Sequence, residues 1–96
     1  MFMILLRFAA NKDQTEQFFE AHKAWIKKGF EDGVFLLAGG IQPGVGGAIA
    51  AHNTTRKELG ERIDKDPFVA NNVVSAEILE ITPSMTDQRL DFLKSG

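Results

Sequence analysis

A chain of 96 residues is enough for one compact domain and no more. A net charge of −2 gives no electrostatic case for binding nucleic acid or an anionic membrane, since both need a basic face. With no cysteine there is neither a disulfide nor a thiolate metal site, and a cytoplasmic address fits.

The N-terminal run from Met1 to Phe8 has no basic leader, is interrupted by Arg7 and is followed by no small-residue cleavage site, so it does not read as a signal peptide. No apolar stretch is long enough to span a bilayer. The run reads instead as a buried strand from Phe2 to Phe8. Phe2, Ile4, Leu6 and Phe8 fall on one face, and Met3, Leu5 and Arg7 on the other. Both faces are largely apolar, so both need cover.

Asp13 followed three residues later by Glu16 has the form of a capping box. The helix it opens is expected to run to about Asp32 and to stop at Gly33. Within it, Phe18, His22, Trp25, Ile26 and Gly29 share one stripe at about 100° per residue. His22 is the single ionisable member of that stripe, and Trp25 and the phenylalanines of the run are assigned to the core.

Val34 to Ile41 reads as a second strand with Gly39 and Gly40 at its end. Residues 42–47 form a turn-rich connection, and Ala48 to Asn53 a third strand. The stretch from Gly39 to Gly47 is no phosphate loop, because it joins two strands and no Lys-Ser/Thr follows. Thr55 and Glu58 form a second capping box, with Leu59 and Ile63 as the inward pair of the helix. Gly60 is expected to bring that helix close to the sheet. The helix must stop near Lys65, because Pro67 disfavours helical geometry at Asp66 and, with Phe68, holds the loop extended. Val73 to Thr82 is the last strand. Residues 84–96 form a tail with a weak helical signal.

The order β-α-β-β-α-β is that of the ferredoxin-like split βαβ motif, an α+β class with an antiparallel sheet and two helices on one face. We expect residues 1–83 to form this domain, with 84–96 appended. The second sheet face, left apolar, calls for a homodimer with its sheets packed together.

Asp66 is the acid best placed to meet His22, because the two helices lie side by side on one face. Its carboxylate would hold one imidazole nitrogen and leave the other free as a base. The plain alternative is an inert core histidine. A metal site from His22, His52 and Asp66 has no ligand spacing to support it, and none is assigned.

Four segments resemble the YCII-related (YciI-like) family: Glu20-Ala21-His22-Lys23-Ala24-Trp25-Ile26, Gly39-Gly40, Gly46-Gly47-Ala48-Ile49 and Asp66-Pro67-Phe68. The likeness runs from Met1 to about Pro83. It implies a dimeric α+β barrel and an active site built from His22 and Asp66. A characterised relative in that family acts as a dehydrochlorinase on a chlorinated hydroxyhydroquinone, and muconolactone isomerases share the wider superfamily. This chain departs from the family at Ile41, where many members have Pro, and at Asn72, where many have Gly. Gly39, Gly40, Phe68 and Asn72 are the expected substrate-binding positions.

The resulting expectation is a small homodimeric enzyme working by general acid–base chemistry, elimination or isomerisation, on a small cyclic or aromatic compound. Such chemistry needs no cofactor. The rival is a non-catalytic module of the same fold that binds a small ligand or a partner.

Overall fold

The computed structural model describes residues 1–94; residues 95–96, the end of the expected tail, lie outside the described residues. Among the described residues, strands β1 (Phe2–Phe8), β2 (Phe35–Ile41), β3 (Gly46–Ala51) and β4 (Val74–Glu80) form one antiparallel sheet in the order β2-β3-β1-β4. Helix α1 (Thr15–Glu31) follows β1. Helix α2 (Arg56–Asp64) and a single helical turn, α3 (Pro67–Ala70), follow β3. This is the expected α+β, ferredoxin-like arrangement. No helix of the described residues is long and apolar enough to cross a membrane.

The alternation in β1 decides which side of the sheet is covered. Phe2, Ile4 and Leu6 are buried, and register aligns Ile4 with Ile49 on one side and Ile78 on the other. Leu59 and Ile63 of α2 and Phe68 of α3 join them in one core. Full burial of a side chain such as Ile4 or Leu59 is worth about 1.5–3 kcal/mol each. The opposite row aligns Met3 with Ala50 and Leu79, and Ala50 with Leu37. On that face Leu37 is 58% and Leu79 43% exposed.

Local signals were followed in some places and overridden in others. The Thr55–Glu58 box forms in full, with Thr55 Oγ1 accepting from Glu58 N at 3.1 Å and Glu58 Oε1 accepting from Thr55 N at 3.2 Å. Gly33 ends α1 with φ of +74°. The Asp13–Glu16 box does not form. Asp13 lies in a 3-10 turn (Lys12–Gln14), and Gln14 precedes α1 with no side-chain cap. Tertiary ties set this turn instead: Asn11 donates to the carbonyls of Asn71 and Asn72, both at 2.9 Å.

Pro67 does not hold an extended loop. Asp66 itself is extended (φ −63°, ψ 124°), but Pro67 occupies the first position of α3, where its missing N–H costs nothing. Gly60 is not a close-packing site, since a Cβ there would meet only Arg56 Nη1 at 3.5 Å. The close approach is at Gly29, where a Cβ would overlap the Phe35 ring. β3 begins at Gly46 rather than Ala48, because Gly46 and Gly47 already pair with β1 and β2. Two phenylalanines of α1 leave the core: Phe19 is 45% and Phe30 42% exposed, since both lie off the stripe of His22. The tail contains a 3-10 helix (Gln88–Leu93) capped by Asp87, whose Phe92 ring packs edge-on against His52 at 5.5 Å.

Candidate functional site

α1 carries His22 on its buried stripe, 8% exposed. The turn between α2 and α3 carries Asp66, wholly buried. His22 Nδ1 and Asp66 Oδ1 lie 2.7 Å apart across 44 residues of sequence. The same Oδ1 accepts from Phe68 N at 3.1 Å, so Asp66 caps α3 and holds the imidazole with one atom. A carboxylate only accepts, so the hydrogen on this bond sits on Nδ1 and the lone pair of a neutral ring is left on Nε2. Asp66 Oδ2 is buried and has no hydrogen-bond partner among the described residues.

Packing holds the ring in place. Phe68 stacks on His22 with centroids 3.9 Å apart and planes 8° from parallel. On the helix, Trp25 lies 6.0 Å from the same ring and donates from Nε1 to the carbonyl of Arg62 at 3.0 Å. That bond ties α1 to α2. A second tie runs from the end of α1: Asp32 accepts from Arg62 at 3.0 Å and pairs with Lys28 at 3.0 Å. The Lys28 ammonium, followed by the Arg62 guanidinium, lowers the Asp32 pKa from its ordinary 3.8.

His22 lines a cavity of about 350 Å³ between α1 and the covered face of the sheet. The space exists because the sheet runs out of side chains there. Leu6, Gly47 and Gly40 stand in one register row, and Ala38 lies in the next. Neither Gly40 nor Gly47 would meet another side chain with an added Cβ. Phe8, Phe19 and Ile26 supply apolar wall, and among the lining side chains only those of Thr15, His22 and Lys23 are polar.

The structure therefore brings His22, Phe68, Gly39 and Gly40 to one cavity, with Asp66 behind His22. Asn72 does not line it. With φ of +57°, Asn72 is the turn before β4, and its carbonyl is used by Asn11. His52 contacts Phe92 and Asn53 rather than His22. Among the described residues, no group of three His, Cys, Asp or Glu is placed to hold a metal. Lys23 and Thr15 were missed from the sequence. Lys23 carried a signal in following His22 directly on a helix whose next face would border any cavity under it.

No family model matches the chain, and no curated protein sequence matches it. Among solved structures it is similar to 5-chloro-2-hydroxyhydroquinone dehydrochlorinase from Burkholderia phenoliruptrix AC1100, in complex with 2,5-dihydroxybenzoquinone. The TM-score is 0.68 and identity 12%, covering 84% of this chain and 93% of that one. At this identity the likeness establishes a shared fold.

Proposed function

We propose that this protein is a YCII-related enzyme in which His22 is the general acid–base, oriented by Asp66, acting on a small cyclic or aromatic compound. The observation that carries the proposal is the 2.7 Å bond between His22 Nδ1 and a wholly buried Asp66, on a ring that lines the cavity. A structural histidine sealed in the core would have both nitrogens bonded within the protein. In elimination, Nε2 takes a proton from the bound ring compound. The electron pair of that bond forms a new double bond and expels a leaving group such as halide. In isomerisation the proton is returned to another carbon. Neither course transfers electrons to an acceptor, so neither needs a cofactor.

The shared fold with a dehydrochlorinase supports a ring compound as substrate. The exposed row of Leu37 and Leu79 supports a homodimer packed through its sheet faces, closing the dimeric α+β barrel. On this reading residues 1–83 form the catalytic domain, residues 84–96 are accessory, and the protein works in the cytoplasm without nucleic-acid or membrane partners.

The test is a panel of halogenated and hydroxylated single-ring compounds, 5-chloro-2-hydroxyhydroquinone included, followed by product formation. Turnover that falls about 10²–10⁴-fold in His22→Asn is expected. Turnover unaffected by His22→Asn overturns the assignment. Binding of several compounds with turnover of none establishes the ligand-binding alternative.

A further inference from the structure

The lining of the cavity carries a cation that general acid–base chemistry does not require, in front of the Asp66 carboxylate that His22 screens from the cavity. Three polar side chains line it, and none is acidic. Thr15 is committed, its hydroxyl donating to the carbonyl of Lys12. His22 is neutral when it serves as a base. Among the described residues, Lys23 is the one formal charge on the lining.

Lys23 is also little engaged by the protein. Its nearest acid among the described residues is Glu20, at 3.9 Å, with both side chains more than half exposed. Such a pair holds an ammonium weakly. The Nζ lies instead 5.3 Å from the centroid of Phe19, a wall of the cavity, which keeps the charge beside that wall. A second ammonium, Lys12 Nζ, stands 4.8 Å over the ring of Phe8, which also lines the cavity, but Lys12 itself is not part of the lining. Apolar walls around a volume at the small end for ligand sites fit a single ring. A cation at the rim and no anion on the lining fit a ring that bears a negative group.

We infer that Lys23 is a specificity-determining residue that selects anionic single-ring ligands, carboxylates or phenolates, over neutral ones of the same shape. The inference rests on the cavity being the substrate site. The ring lies against Phe68 and the glycine row, its anionic group reaches Lys23 at the mouth, and its reacting hydrogen faces His22 Nε2. The ammonium keeps its hydration until the ligand arrives, so the preference weakens as salt rises.

The experiment measures binding of 4-hydroxybenzoate and its neutral amide, 4-hydroxybenzamide, by calorimetry and by NMR shifts of cavity residues. The wild-type protein is compared with Lys23→Gln and Lys23→Arg. We expect the acid to bind about tenfold more tightly than the amide, as for a hydrogen bond to a charged group. In Lys23→Gln the acid should fall to the level of the amide, while the amide is unchanged; Lys23→Arg should keep the gap. Equal binding of acid and amide, a gap that persists in Lys23→Gln, or no binding of either at millimolar concentration overturns the inference. Equal binding overturns the role of Lys23 and leaves His22 and Asp66 in place. Turnover independent of His22 removes the acid–base reading and leaves the charge preference standing.

Discussion

The Oδ1 atom of Asp66 lies 2.7 Å from His22 Nδ1 and joins the first helix to the turn after the second. Because the same atom caps α3 through Phe68 N, orientation of the imidazole and folding of that turn share one acceptor. Asp66→Asn keeps the shape but removes the charge that favours the Nδ1–H form. We expect a single ring tautomer in the wild type and a mixture in Asp66→Asn, read from the ring ¹⁵N shifts, with turnover lower by about 10²-fold or more. Identical ¹⁵N spectra in the two proteins would remove the pair from the mechanism.

Phe68 is buried, in the core and stacked on His22. Phe68→Ala should cost about 3–5 kcal/mol in urea denaturation, as for other buried phenylalanines. A loss below about 1 kcal/mol would show that the turn is anchored elsewhere.

The cavity depends on missing side chains at Gly40 and Gly47. Gly40 has no positive φ, so a valine there is free of backbone strain and suits a strand. Gly40→Val should leave the melting temperature unchanged or raised and weaken ring-compound binding about tenfold or more, because the new methyls occupy the ligand's volume. Undiminished affinity in a folded Gly40→Val protein would place the ligand somewhere else.

Leu37 and Leu79 stand in one row on the uncovered sheet face. Light scattering should give twice the 10.6 kDa chain mass at micromolar concentration. Leu37→Asp puts a charge into that row, where burial against a second copy would leave it unpaired. It should give the single-chain mass. A wild-type monomer would count decisively against the barrel.

Asp32 supplies a pH dependence of definite sign. Lys28 and then Arg62 lower its folded pKa below 3.8, so folding favours the ionised form. Its contribution to stability is complete well above pH 3.8 and is lost as the pH falls through the lower folded value. A ¹³C titration of the Asp32 carboxyl should give a midpoint below 3.8, moving back toward it in Lys28→Ala and, by a smaller step, in Arg62→Ala. A wild-type midpoint at or above 3.8 would contradict the pairing.

Features that depend on neighbours a few residues apart were legible before any folding was considered. The period of two in β1 chose the buried face, the Thr55–Glu58 pair started α2, and Gly33 stopped α1. The period of 3.6 put His22 on the covered stripe, and Pro67 made Asp66 extended. In each case the deciding energy is local: a cap, a permitted φ or one apolar face.

Features that depend on distant partners took their form on folding. Pro67 is equally at home after an extended residue and at the start of a helix, and the burial of Phe68 against His22 selects the helical turn. The Asp13 cap loses to the bonds from Asn11 to Asn71 and Asn72, some 60 residues away. Asn72, near Asp66 in sequence, is spent on that contact and not on the cavity. The cavity itself has no local signature. A glycine in one strand makes a hole only when register sets it beside a glycine of the next, and Gly40 and Gly47 meet only once β2 and β3 pair.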